Sequence, residues 1–494
     1  MISRDEFQIL YDQGPDAVYA VLCAMQAQIG TLAERVRELE ARLNKDSHNS
    51  SKPPSSDGLA RRPSAAKPAP RSLRPQKGRK PGGQHGHPGR TLSQVEEPDT
   101  VLLHAPASCS ACGHSLEGAA VVVVSRERRQ VFDLPPMRLL VTEHQALECE
   151  CPDCHVRTKA SFPEAVAQPV QYGPALMGLA VYLTEYQLLP LWRTQQLLAD
   201  LFGSTPCEGT LVSALGTCFE TLAPVESAIK ESIVQAPVAH FDETGIRVQG
   251  RLHWLHVAST TAMTWYAPHP KRGRAAFRDL DVLPRFRGIS VHDALASYLC
   301  DGYSCQHALC NAHLLRELTS LWENFHQTWT QRLMQLLRCL NRLKEQALAR
   351  GRSSLEPPLL QRARALFDRI VQRGLRENPL PKQTPGPSGK RRRGRTPRGP
   401  ARSLLERIRT YADAVLRFMT DFRVPFDNNL AERDLRMTKV RMKISGCFRG
   451  APGAEQFCRI RGYISTLRKQ GMDVLRALKS TMGGAPVYPA LLPE

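Results

Sequence analysis

Three carboxylates stand in distinctive sequence settings: Asp242 in His240-Phe-Asp-Glu-Thr244, Asp293 in Val291-His-Asp-Ala294, and Glu432 in Asp427-Asn-Asn-Leu-Ala-Glu-Arg433. Hard divalent cations take oxygen ligands, and few of these need come from protein. Three acidic side chains from separate elements can therefore hold two Mg²⁺ ions. Two such ions about 3.5–4 Å apart activate an attacking oxygen and steady a leaving one in an in-line phosphoryl displacement. The implied chemistry is the cutting and joining of DNA.

The flanking residues show what must position these groups. Val238–Val248, His253–Val257 and Thr264–Ala267 read as three strands joined by short turns, with Asp242 inside the first. Gly288–His292 adds another, with Asp293 at its carboxyl end. Strand, strand, strand, helix, strand is the order of a ribonuclease-H-like core, where acidic residues converge at strand ends. Glu243 points to the opposite strand face from Asp242 and is left out of the site. Glu432 reads as helical, and Arg436, Lys439 and Lys443 follow it at steps of 4, 3 and 4, on one helix face. A carboxylate followed by three cations suits a metal site with DNA phosphates running away from it. Asp301, in Asp301-Gly-Tyr303, rivals Asp293 as the second ligand. Asp293 is preferred because it follows an apolar strand, whereas Asp301 follows the helix-like Ala294–Cys300.

Two CxxC knuckles, Cys109-Ser-Ala-Cys112 and Cys151-Pro-Asp-Cys154, are separated by 38 residues. Each can present two thiolates from one tight turn, and four thiolates make a closed, structural Zn²⁺ site. Val121–Val124 and Arg138–Thr142 look like strands that fold the spacer back as a hairpin. Cys149 and His155 lie close enough to replace Cys151 or Cys154. Cys310-Asn-Ala-His313 reads either as metal or structural support of the core, or as a buried thiol and a satisfied imidazole.

A net charge of +20 and a pI near 9.6 point to a polyanionic partner, most simply double-stranded DNA. Val18, Leu22, Met25, Ile29, Leu32, Val36, Leu39 and Leu43 repeat at alternating steps of 4 and 3. That is a coiled-coil seam, predicting self-association into a homo-oligomer, with a single packed amphipathic helix as the alternative. Between Lys45 and Pro98, nine prolines and eleven Lys or Arg against four acidic residues rule out a packed core. Arg79 and Lys80 in this arm are candidate DNA contacts. The most apolar stretch, Pro174–Trp192, is interrupted by Glu185, Gln187 and Pro190, so it reads as a buried helix rather than a membrane span. The first residues lack a secretory pattern, so the fourteen cysteines are expected reduced and the protein cytoplasmic and nucleoid-associated.

The expected organisation is multidomain α+β. It comprises a coiled-coil helix (1–44), a basic Pro-rich linker (45–98), a zinc-binding module (99–160) and a helical connecting or DNA-binding region (161–236). The ribonuclease-H-like core begins at 237–320, is interrupted by a helical insertion with a basic linker (321–400), and is completed by a helical part (401–494).

Together these segments resemble bacterial DDE-type transposases of the insertion-sequence-66 family. His240-Phe-Asp-Glu-Thr244 and Asp427–Arg433 carry the resemblance, with the leading coiled coil, Asn49-Ser-Ser-Lys-Pro-Pro-Ser55, Gly82-Gly-Gln-His-Gly-His-Pro-Gly89 and the cysteine module. The resemblance implies a catalytic triad of Asp242, Asp293 and Glu432, with an insertion accounting for the 139-residue separation of the last two. It also implies binding to the ends of an insertion sequence, metal-dependent cleavage and strand transfer into target DNA, and small accessory proteins as partners. The competing readings are a metal-dependent nuclease or resolvase on the same fold, and a non-catalytic zinc-containing DNA-binding protein derived from a transposase.

Overall fold

The computed structural model describes residues 8–9, 11–43, 45, 49, 92–117, 122–135, 137–203, 206–380 and 398–491. The chain forms two compact units, one of residues 60–141 with Leu201–Gly203 and one of everything else. Arg79, Lys80 and the Lys390–Arg395 run lie outside the described residues.

The heptad stretch is one helix, α1 (Pro15–Leu43), and Leu22, Ile29, Leu32, Val36 and Leu39 of its seam are exposed. In the smaller unit, Ser108 and Ser115 bridge across a tight turn, and Val95 is held by the side chains of Arg128 and Gln130. The spacer strands expected at Val121–Val124 and Arg138–Thr142 do not form among the described residues. β-branched residues favour extended backbone, but a strand needs a partner ladder, and Val122–Val124, Leu140 and Val141 stay exposed. The hairpin lies later, where β1 (Glu148–Glu150) pairs antiparallel with β2 (Arg157–Lys159) around the second cysteine knuckle.

Helices α2 (Pro174–Val181), α3 (Leu191–Phe202), α4 (Glu208–Thr221) and α5 (Ala223–Val234) come next, with a π-helical turn at Tyr182–Tyr186 after α2. Three antiparallel strands follow: β3 (Val238–Val248), β4 (Arg251–Ser259) and β5 (Thr264–His269). Gln249 and Gly250 link the first two with φ of 50° and 75°, the two-residue turn whose twist matches a hairpin. Helix α6 (Arg274–Leu280) then leads to β6 (Ile289–His292), parallel to β3, and to β7 (Gln306–Leu309), parallel to β6. The sheet order is β5-β4-β3-β6-β7. At Gly288 a Cβ would lie 2.4 Å from the Ala236 carbonyl oxygen, so only glycine lets β6 enter beside β3. Residues Ala294–Cys300, read as helix-like, form no helix: Ala296–Tyr298 make a turn and Leu299–Cys300 a bend.

A helical stretch follows, built from α7 (Asn311–Phe325), α8 (Thr328–Ala349), α9 (Pro357–Glu377), α10 (Pro400–Thr410) and α11 (Ala412–Thr420). Leu318, Trp329, Leu337, Phe367 and Leu405 pack in its interior. The chain closes with α12 (Asn429–Ser445), α13 (Ala451–Lys469) and α14 (Val474–Met482). A second core joins α4, α5, the sheet, α13 and α14, and a smaller third places α12 on β3 and β4. Among the described residues no helix is long and apolar enough to cross a membrane.

One buried ion cluster ties the α2 region to the C-terminal helices. Glu185 of the π-helical turn faces the charges of Arg441 on α12 and Arg461 on α13, and Arg461 donates to the Glu185 carbonyl oxygen. Burial pushes the Glu185 carboxyl up to about 7 against the pull of both guanidinium groups. Its folded value therefore lies above its ordinary 4.5, so this stability is full below about pH 4.5 and is lost as pH rises toward 7. Glu185→Gln is expected to flatten that decline, retaining about 3 kcal/mol at pH 8 that the native side chain loses. Urea midpoints at pH 5 and pH 8 for both proteins measure it.

Candidate active site

A strand of period 2 puts His240, Asp242, Ile246 and Val248 on one face of β3. Ile246 and Val248 share an apolar cluster with Ala431 and Leu435 of α12, so that helix covers this face. Glu432 sits in the first turn of α12, where the helix dipole favours a carboxylate. Asp293 follows β6 directly, in the parallel neighbour of β3, and its side chain accepts from Leu295 N–H at 3.0 Å. Asp242 accepts from Glu243 N–H at 2.8 Å.

Asp242 lies near enough to Asp293 and Glu432 to feel the charge of each. Burial holds the Asp242 carboxyl well above the usual carboxylate range, and the negative charges of Glu243, Asp293 and Glu432 push it further the same way. Glu432 Oε1 is shielded from solvent with no hydrogen-bond partner. Crowded, incompletely paired carboxylate oxygens suit hard divalent cations, which relieve both the repulsion and the orphaned acceptor. The donor set therefore fits Mg²⁺. Asp301 stands exposed in a later turn and is not among the charges that act on Asp242.

Asn428 holds the two halves together, a role that the sequence reading missed. It precedes α12 as an N-cap, yet its side chain does not cap that helix. Instead Nδ2 donates to the Phe241 carbonyl at 2.9 Å, and Oδ1 lies 2.8 Å from His240 Nδ1. With the amide so oriented, Oδ1 accepts the Nδ1 proton of His240, which burial keeps below its ordinary pKa and neutral. The Asn428 N–H donates to Cys310 Sγ at 3.2 Å. One residue thus fastens the start of the Glu432 helix to the strand carrying Asp242 and to the end of β7.

Glu243 points away from this face, as expected, but it is not idle. It accepts from Tyr298 OH at 2.5 Å and Arg272 Nε at 2.7 Å, and Arg272 stacks 4.7 Å over Trp254. His292 at the end of β6 stacks on Tyr298 and meets His307 at 3.0 Å. These contacts brace the strand end that presents Asp293. The signal for them was faint, because Tyr298 and Arg272 belong to loops whose partners are set only by the fold.

Of the three cations along α12, Arg436 and Lys443 are exposed, whereas Lys439 donates to the Gly245 carbonyl at 2.9 Å. Lys439 therefore fixes the helix to the sheet.

Each cysteine knuckle has the same local geometry. Cys109 N–H donates to His114 O, and Gly113 N–H returns to Cys109 O; Cys151 N–H donates to Val156 O, and His155 N–H returns to Cys151 O. Gly113 and His155 take the same left-handed position, with φ of 73° and 55°. Backbone N–H groups of Cys112 and Ala111 lower the Cys109 thiol pKa, and those of Cys154 and Asp153 lower that of Cys151. Such donors favour the thiolate that zinc requires. His155 pairs with Glu150 at 3.0 Å and Cys149 lies in β1 opposite Thr158, which leaves Cys151 and Cys154 as the knuckle's thiols.

Comparison with known families agrees with these features. Residues 169–456, more than half of the chain, match the Transposase IS66 family. Residues 106–155 match the zinc-finger binding domain of transposase IS66, which supports a structural zinc and DNA binding, and residues 2–93 match a family of unknown function. No curated protein matches. With that match spanning the sheet, the helices that follow it and Glu432, the chain belongs to the Transposase IS66 family.

Proposed function

We propose that this chain cuts the ends of its insertion sequence and joins them to target DNA by a DDE mechanism, with Asp242, Asp293 and Glu432 as the triad on a ribonuclease-H-like core. The observation that carries this reading is that the negative charges of Asp293 and Glu432, from two other elements, both raise the Asp242 carboxyl. The sheet, three antiparallel strands with two parallel strands added beyond β3, supports the choice of core.

The triad would hold the two Mg²⁺ ions, which supply charge neutralisation and oxygen activation for in-line phosphoryl displacement when bound. The chain's own residues do the rest. Asn428 and His240 tie the start of the Glu432 helix to the strand that carries Asp242. Arg436, exposed one turn beyond Glu432, would offset charge that builds at phosphorus. Lys443 extends the cationic face along the DNA backbone, and the arm with Arg79 and Lys80 adds sequence-independent affinity. No protein nucleophile is required, since the attacking oxygens belong to water and then to a DNA 3′-hydroxyl. The exposed seam of α1 suits pairing of two copies as a homo-oligomer that brings two element ends together. Small accessory proteins of the same element fit as further partners, and a cytoplasmic, nucleoid-associated protein fits the charge.

Labelled end DNA incubated with a target plasmid and Mg²⁺ tests the reading. Joined products are expected. Cleavage without joining would instead identify a nuclease, and binding alone a regulator. Cys151→Ser is expected to lose about one zinc per chain and to weaken end binding, read by metal analysis and gel shift. Unchanged zinc content would remove Cys151 from the ligand set.

A further inference from the structure

We propose that Cys310, His313 and Glu432 form a second metal site, sharing Glu432 with the proposed Mg²⁺ site, for a borderline divalent ion of the Zn²⁺ class, and that filling it switches the transposase off. Cys310 is the residue before α7 and His313 lies in that helix's first turn, so the two face the same way from one short segment. Glu432 comes from the first turn of α12. One ligand atom from each of the three lies within 4.8 Å of the others.

Two observations indicate that these groups await an ion. His313 Nδ1 and Glu432 Oε1 approach to 3.5 Å, yet neither has a hydrogen-bond partner and both are shielded from solvent. A well-formed His–Glu pair would satisfy both atoms. Left orphaned, each costs about 1–3 kcal/mol. An ion between them satisfies both at once, and Cys310 Sγ is the third donor. The Asn428 N–H already on that sulfur at 3.2 Å is the outer support that a zinc-bound thiolate needs.

The donor chemistry selects the ion. Mg²⁺ takes oxygen in near-ideal octahedral geometry, whereas a thiol, an imidazole and a carboxylate suit Zn²⁺ or Co²⁺. Tetrahedral Zn²⁺ sets its ligands about 3.5 Å apart, so the cluster needs only to tighten. Water takes the fourth position. Binding releases the Cys310 thiol proton to solvent.

Glu432 is the shared element. On the reading given under Proposed function it serves Mg²⁺, so a Zn²⁺ ion bound with Cys310 and His313 draws that carboxylate away. Free zinc then inhibits cutting and joining while leaving end binding intact.

The test is a titration of the zinc-loaded, full-length protein with Co²⁺, followed by absorbance. About one added equivalent should give a thiolate-to-cobalt band with visible tetrahedral bands. Cys310→Ser should abolish the thiolate band, and His313→Gln should weaken Co²⁺ binding by about tenfold or more. In the joining assay, Zn²⁺ should inhibit the wild-type protein, and Cys310→Ser should need about tenfold more Zn²⁺ for the same inhibition. A wild-type protein with no thiolate band overturns the site without recourse to any variant. A band that Cys310→Ser leaves unchanged belongs to the zinc module and overturns it equally. The cobalt signal does not depend on catalysis, so failure of the transposase reading and failure of this site are told apart.

Discussion

Asp242→Asn is expected to abolish cleavage and joining while leaving affinity for end DNA within several-fold of wild type. The amide keeps the shape of the side chain but loses the charge that holds a divalent ion. Its effect on stability should run the opposite way. The Asp242 carboxyl is held above its ordinary pKa by burial and by three neighbouring carboxylates. A group raised in this way stabilises the fold fully below its unfolded pKa, and that contribution is lost as pH rises through the folded value. At neutral pH without divalent ions the wild-type site is therefore a store of repulsion, and Asp242→Asn releases it. The variant should melt a few degrees higher than wild type in chelator, and added Mg²⁺ should stabilise the wild type alone. A variant that cuts normally in Mg²⁺, or that melts lower in chelator, would contradict the assignment.

Asn428→Ala should be nearly as damaging to activity, through position rather than charge. It strands the His240 ring nitrogen and the Phe241 carbonyl in the interior, each at about 1–3 kcal/mol. It also frees the first turn of α12, so Glu432 loses its fixed distance from Asp242. Misplacement of a catalytic group by about 1 Å costs on the order of 100-fold in rate. Joining is expected to fall by about that factor at fixed Mg²⁺, with partial recovery at high Mg²⁺ and unchanged end binding. A rate that no Mg²⁺ concentration improves, with lost end binding, would mean that the substitution unfolds the core instead.

Much of the proposed site is legible along the chain, because its three carboxylates each lie beside a strong local signal. Asp293 follows an apolar run, Asp242 sits in an alternating one, and Glu432 opens a helix with regularly spaced cations. Period 2 in β3 also puts Glu243 on the opposite face from Asp242, where Arg272 and Tyr298 hold it. What could not be read depended on distant partners. Asn428 has the residue type of an N-cap, and local chemistry would assign its side chain to its own helix. Only the packing of α12 on β3 redirects it to Phe241 and His240. Lys439 was grouped with Arg436 and Lys443 by spacing alone, yet the Gly245 carbonyl claims it. The spacer valines show the converse case, since β-branched residues give a strand signal but no partner ladder forms among the described residues.

The most direct test of the central claim is electron paramagnetic resonance of the wild-type protein bound to end DNA and loaded with Mn²⁺ in place of Mg²⁺. Two ions about 3.5–4 Å apart couple magnetically. The coupled signal should appear in wild type and vanish in Asp242→Asn, Asp293→Asn and Glu432→Gln alike. Mn²⁺ that stays uncoupled, or a coupled pair that survives loss of any one of these carboxylates, would show that they do not form one metal centre.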